Sequence, residues 1–379
     1  MTATGAIEGT PPAGLPERKG GIRLFGGPGR YHQGPGALDL IGEVAAAFGP
    51  APLVVGDAHV MAMLRPRLEA LLAGAGLRPA FRTLEGEITR PAIEALARGA
   101  ETASVVVGVG GGKSLDAAKG VAMILHAPVI TAPTIASNDS PTSAAVAIYD
   151  DDHVMIAVDR MAASPACVLV DTALIAAAPA SFLRAGIGDA IAKKFEAEGC
   201  MAGAGLTPFG TRPLVTALAI ADCAHATILR HAEAALAACE AREATPDLEH
   251  VVEAVVLMSG LGFENGGLSL AHSLTRGLVR ARGARDAIHG AQVAWAVLVH
   301  MAAEGRGDDE ILSLARFYRR IGLPVRLANL GMADPTETEI DEMARLTMTA
   351  PHLANFAVPL DRAAVAAAIR RAEALGASV

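Results

Sequence analysis

Aromatic residues are scarce in this sequence. Nine Phe, three Tyr and one Trp make up 3% of 379 residues, although 52% are hydrophobic. Alanine dominates the apolar fraction, so burial has to come from small residues packed closely, which suits tightly approaching helices. No run of about 18 uncharged apolar residues occurs, and no membrane span is expected. Basic residues do not cluster either: 32 Lys and Arg stand against 40 Asp and Glu, for a net charge of −8. Phosphate-backbone affinity needs dense Lys and Arg, so nucleic acid is not an expected partner. Cys167, Cys200, Cys223 and Cys239 have no C-x-x-C spacing, and the opening MTATGAIEGTPPAGLPERKGG lacks an apolar signal core. A cytoplasmic protein with four unpaired thiols is expected.

What is present has a rhythm. Residues 1–20, rich in Pro and Gly with nothing periodic to bury, read as a flexible tail. From 21 to 175, short β-branched runs at 52–56, 104–108 and 128–131 alternate with Ala- and Leu-rich stretches such as 58–74 and 91–102. Such alternation implies a parallel sheet covered by helices. From 176 to 379 strand-like runs vanish, and long helices are expected over 187–202, 212–243, 247–262, 266–282, 289–304, 308–321 and 361–375. The fold class is therefore α/β: a parallel-sheet dinucleotide-type domain, a junction near Val168 to Pro179, and an all-helical domain, with the ligand cleft between them.

The segment from Val105 to Asp116, VVVGVGGGKSLD, ends a buried strand and opens a helix. Glycines at that junction let backbone N–H groups approach an anion at the helix N-terminus, so Gly110, Gly111 and Gly112 suit a phosphate or pyrophosphate. Neither common fingerprint is met: G-x-G-x-x-G would need glycine at Lys113, and the P-loop would need it at Val107. Lys113 and Asp116 read as a solvated base and a partner for the helix dipole. Asp57, ending an earlier strand, suits either a ribose hydroxyl or the N-cap of the following helix. A carboxylate there would repel a 2′-phosphate, which favours NAD over NADP.

Asp189, His272 and His289 could meet at one ion. One carboxylate and two imidazoles leave an open position, as a catalytic zinc requires. Spacing alone leaves open that these are ordinary residues near helix ends. His300, eleven residues beyond His289, lies about 16 Å along the same helix and is no co-ligand. His225 and His231 read as packing or surface residues.

Several stretches, in order, resemble one family: Gly29 to Gly34, the GVGGGKSLDAAK loop, Pro133 to Ser143 (PTIASNDSPTS), GIGDAIAKKFEA, Gly262 to Gly267 leading to His272, and His289-Gly290. They resemble the glycerol dehydrogenase branch of the metal-dependent, iron-containing alcohol dehydrogenases, with its dehydroquinate-synthase-like architecture. The resemblance implies NAD lying on Gly110, Gly111 and Gly112, with further contacts from Asp57, Thr134, Ser143 and Tyr149. It implies a metal, zinc or alternatively ferrous iron, on Asp189, His272 and His289. It also implies a substrate-hydroxyl contact from Asp139, a small polyol or ketone as substrate, and a homo-oligomer.

Two residues depart from the family pattern. The helix after the metal acid typically reads A-T-W-F-E-A, whereas here it is Ala192-Lys193-Lys194-Phe195-Glu196-Ala197. Lys193, one turn after Asp189, could pair with that acid, repel the metal, bind an anionic substrate group or extend to solvent. Asn138 replaces the Thr common before the substrate acid. Together they raise the expectation of a larger or anionic hydroxy compound, such as glycerol 1-phosphate. A dehydroquinate-synthase-like cyclase and a non-catalytic nucleotide binder, its metal displaced by Lys193, are the competing classes.

Overall fold

The computed structural model describes residues 21–150 and 155–379; the tail expected over 1–20 lies outside them. Strands β1 (Tyr31–Gly34), β2 (Pro52–Asp57), β3 (Ala80–Leu84), β4 (Val105–Gly110) and β5 (Val129–Pro133) are followed by an antiparallel pair, β6 (Ala145–Tyr149) and β7 (Met155–Arg160), and then by β8 (Cys167–Asp171). All but the hairpin pair form one parallel sheet in the order β1-β8-β5-β4-β2-β3.

The central strands are continuous apolar runs because both faces are covered. On one face Val54, Val107 and Ile130 meet Ile41 of α1 (Ile41–Ala46) and Leu64, Leu68 and Leu72 of α2 (Ala58–Gly74). On the other, Val55, Val106 and Val129 meet Ile93 and Leu96 of α3 (Arg90–Ala97) and Ala118 and Val121 of α4 (Gly112–Leu125). The chain leaves β2 towards one edge of the sheet and leaves β4 towards the other. The crevice at the carboxyl ends of β2 and β4 is therefore the topological switch point, where ligands of open α/β sheets bind.

From Thr172 onward the described chain is helical or loop. It runs through α5 (Thr172–Ala177), α6 (Ala180–Ala202), α7 (Val215–Ala241) and α8 (Pro246–Glu253), which passes through a π-helical turn at Ala254–Met258 into α9 (Ser259–Gly266). Then come α10 (Leu270–Leu278), α11 (His289–Ala303), α12 (Asp308–Ile321), α13 (Glu337–Thr347) and α14 (Arg362–Gly376). Helix α11 is buried on all sides from Gln292 to Ala302 and forms the axis of the helical core. No single helix is long and apolar enough to cross a membrane among the described residues.

Several expectations need correction. The helix expected over 91–102 stops at Ala97, and that over 266–282 begins only at Leu270. The 247–262 helix carries the π turn and extends to Gly266. Cys167–Asp171, partly assigned to the junction, is a fully buried strand of the sheet. β1 and β3 had no apolar run to mark them, whereas the hairpin pair went unassigned although Ala145–Tyr149 reads AVAIY and β7 opens MIAV. α13 lacked an apolar run too, although its Thr336/Glu339 capping box stood in the text.

Residues 23–33 belong to both halves. Leu24 N donates to Thr211 Oγ1 at 3.4 Å, and Gly26 exchanges two hydrogen bonds with the Asn265 side chain of α9. The chain then enters the sheet as β1, from which Gln33 Nε2 donates to Glu249 of α8 at 2.7 Å.

Candidate functional site

Gly110 ends β4 with φ of 138°, a conformation that favours glycine, and a Cβ there would meet the Ser114 side chain at 2.7 Å. Gly111 is the N-cap of α4 and makes no side-chain capping bond, so the first N–H groups of α4 receive no capping side chain from it at the switch-point crevice. Asp57 is the N-cap of α2. Its Oδ1 accepts from Val60 N at 3.0 Å, while Oδ2 accepts from Ser114 Oγ at 2.9 Å. Asp57 thus stands beside the glycine loop. Thr134 is buried there too, its N–H donating to the Gly110 carbonyl at 3.1 Å.

Asn138 lies at the same helix start and not among the proposed metal donors: a Cβ on Gly112 would meet its Nδ2 at 2.7 Å, and its Oδ1 accepts from Ser140 N. Tyr149 sits half-buried on β6, where burial first, then the Asp116 and Glu87 carboxylates, push its phenol up to about 12. Asp116 is no mere dipole partner. It accepts from Ser140 Oγ at 2.5 Å and Ala147 N at 3.0 Å, and pairs with Lys119 at 2.7 Å. Lys113, read as solvated, is more than half exposed but pairs with Glu87.

Lys119, which the sequence did not single out, is fully buried. Its ammonium donates to the carbonyls of Ser140 at 3.0 Å, Ser143 at 3.2 Å and Ala145 at 2.5 Å. It thereby pins the loop carrying Asp139 and the buried Ser143 to α4. Lys119→Met, keeping the volume but taking from Asp116 its counter-charge and from three carbonyls their ammonium donor, is expected to cost about 3–5 kcal/mol in urea unfolding.

The second cluster is built on the helices. Asp189 projects from the middle of α6, His272 from the first turn of α10, and His289 from the first residue of α11. Their ligand atoms all lie within 4.8 Å of one another. Asp189 Oδ1 is 3.1 Å from His272 Nε2 and 3.9 Å from His289 Nε2. Donors bound tetrahedrally at about 2.1 Å stand roughly 3.4 Å apart, so this spacing suits a divalent ion. Glu196, two turns after Asp189 on α6, accepts from His272 Nδ1 at 2.6 Å, which turns Nε2 towards Asp189. The sequence reading gave Glu196 no role, although its seven-residue spacing from Asp189 puts it on the same helix face.

Charge in this cluster is dense. Burial works to raise the Asp189 carboxyl, but Lys193, His272 and His289 outweigh it and hold it far below the carboxylate range. Burial raises Asp139, and the neighbouring Asp189 adds to this against the pull of Lys193. Burial opposes the charged form of His272, yet Glu196 and Asp189 bring it up to about 9. His289 is lowered, first by desolvation, and keeps half of its side chain exposed.

Lys193 does not extend to solvent. Its side chain is 2% exposed, and Nζ lies 3.0 Å from Asp189 Oδ1, 3.1 Å from Asp139 Oδ2 and 3.2 Å from His272 Nε2. An ion about 2.1 Å from both Asp189 Oδ1 and His272 Nε2 could stand no farther than about 4 Å from that ammonium. A dication at this separation is repelled by about 8 kcal/mol at an effective dielectric near 20, before the three carboxylates offset it. The donor set fits a metal, and Lys193 contests it.

The neighbouring glycine-rich segment has a structural role. Glu264 accepts from Ala144 N at 2.5 Å and Ser164 Oγ at 2.9 Å, and Ser259 Oγ points to Asp139 Oδ2 at 3.5 Å. The π turn frees the Val256 carbonyl to accept from Thr142 Oγ1 at 2.8 Å. His225 packs edge-on against Phe195 and His231 bonds Asp247 Oδ1 at 2.6 Å, while His300 is buried and bonds Glu304 at 3.1 Å.

The family model of iron-containing alcohol dehydrogenases matches residues 28–172. The chain is 38% identical over 314 residues to the glycerol dehydrogenase of Escherichia coli O6:H1, covering 82% of this chain and 86% of that protein. It is 36% identical over 323 residues to the glycolaldehyde reductase of Halobacterium salinarum, covering 85% and 88%. Among solved structures, a probable glycerol dehydrogenase from Sinorhizobium meliloti 1021 superposes with a TM-score of 0.88 at 36% identity, covering 94% of this chain and all of that one.

Proposed function

The chain belongs to the glycerol dehydrogenase branch of the iron-containing alcohol dehydrogenases and is an alcohol or polyol dehydrogenase; on that premise we propose that it moves a hydride between NAD and a neutral polyol carrying adjacent hydroxyls, with zinc as its metal. The observation that carries this reading is the convergence of Asp189, His272 and His289 within 4.8 Å.

Residues 21–175 would hold the dinucleotide and residues 176–379 the ion. Gly110, Gly111 and Gly112 would let the pyrophosphate approach the start of α4, and Thr134, Ser143 and Tyr149 would add contacts to the dinucleotide. Asp57 places a carboxylate near the adenosine ribose, which disfavours a 2′-phosphate. Asp189, His272 and His289 would hold the ion, which when bound supplies Lewis-acid polarisation of the substrate oxygen. Asp139 would orient a substrate hydroxyl and offers a carboxylate to take up the released proton. The Lys193 ammonium has a carboxylate partner in Asp139 even where Asp189 is given over to the ion, which removes the motive for an anionic substrate; Asn138, turned to the glycine loop, supplies none either. The working form would be a cytoplasmic homo-oligomer.

A screen of glycerol, propanediol and phosphorylated polyols with NAD and NADP tests the proposal. Net NADH formation with a neutral diol is expected. Turnover without net cofactor change would point to a cyclase, and preference for a phosphorylated polyol would restore the anion-binding role of Lys193. Gly111→Val should raise the NAD dissociation constant by about tenfold or more, since a Cβ there already meets Ile135 at 2.9 Å and larger groups would fill the approach to α4. Titration of protein fluorescence with NADH reads that change.

A further inference from the structure

We infer that Lys193 is an internal competitor for the metal site: its ammonium occupies Asp189 in the metal-free chain, and a divalent ion binds only by driving it off. This rests on Asp189, His272 and His289 being the metal donors.

Three observations support the competition. Lys193 follows Asp189 by one turn of α6, so the two side chains face the same way, and the ammonium reaches Asp189 Oδ1 at 3.0 Å. It also reaches His272 Nε2 at 3.2 Å, so it already contacts two of the three donor atoms an ion must bridge. The side chain is withdrawn from solvent: it is 2% exposed, its ammonium lies 5.7 Å from the centre of the Phe263 ring, and Gly262 packs against its base.

The geometry also provides a place to retreat. Asp139 Oδ2 stands 3.1 Å from the same ammonium, so Lys193 can release Asp189 and keep Asp139. Without metal, the pairing spares the fold an uncompensated buried carboxylate, a state that would otherwise be strongly destabilising. Metal affinity is then the affinity of the three donors reduced by the free energy of breaking the Lys193–Asp189 pair.

Zinc binding to chelator-stripped protein, measured by calorimetry against a zinc buffer, tests this without reference to turnover. Lys193→Met, which keeps the side-chain volume, and Lys193→Thr should each bind one zinc per chain at least about 100-fold more tightly than the unaltered chain. Their metal-free forms should melt at lower temperature than the metal-free parent, and saturating zinc should raise their melting temperatures by more than it raises the parent's. Asp189→Asn should abolish binding in every background. Dissociation constants agreeing within about threefold, or weaker binding by both variants, would overturn the competition while leaving the metal reading intact. Absence of zinc binding by all of these chains would remove both.

Discussion

Asp189→Asn should lower kcat by about a thousandfold while moving the NAD dissociation constant by less than about threefold. The replacement keeps the shape but deletes the one charge shared by the three-donor cluster. Asp189 Oδ1 is the atom that both His272 and Lys193 face, at 3.1 and 3.0 Å. The glycine loop lies on α4, a different element, and gains or loses no contact with the substituted side chain. The fold should survive because Lys193 keeps Asp139. Single-turnover hydride transfer and a separate NADH titration would distinguish the two effects. Unchanged kcat would eliminate Asp189 from the reaction.

Gly290→Ala should destabilise the chain by about 3 kcal/mol. Helices α6 and α11 touch backbone to backbone: a Cβ on Gly290 would collide with the Ala185 carbonyl, and a Cβ on Gly188 with the Gly290 carbonyl. No flexible side chain stands at either contact to swing aside, so the helices have to separate. Asp189 and His289 are the immediate neighbours of these glycines, and separation would pull apart two of the three donors. Zinc affinity should therefore fall along with the urea midpoint. Gly74→Ala, at the end of α2 with nothing within 4 Å of the added carbon, is the control and should stay within about 0.5 kcal/mol of the parent.

These contacts show what the sequence could and could not disclose. The strand and glycine loop from Val105 to Gly112 were legible because a buried β-branched run followed by four glycines in five residues has few other uses. The helical half was legible from its Ala- and Leu-rich stretches. β3 was not, since Ala80–Leu84 sits at the sheet edge and carries polar residues that no buried strand would tolerate. The ligand set was found through family resemblance, because Asp189, His272 and His289 come from three separate helices and no spacing rule connects them.

Lys193 was visible as an anomaly but not as a contact. A lysine one turn from an acid can extend outward or fold inward, and only the packing of α9 and the Asp139 loop around it decides between them. Lys119 was hidden for a related reason: its partners are mostly backbone carbonyls, which leave no trace in the identities of the residues that supply them.

The segment from Leu24 to Gln33 limits how the cleft can breathe. It is fastened to Thr211 and Asn265 of the helical half at its start and to Glu249 at its end, with the sheet strand β1 in between. These hydrogen bonds, in addition to the chain leaving β8 for α5, tie the sheet and the helices together at a second place. Opening about the β8–α5 link alone would break those hydrogen bonds, so any opening of the crevice should proceed by a small twist about the line joining the two places.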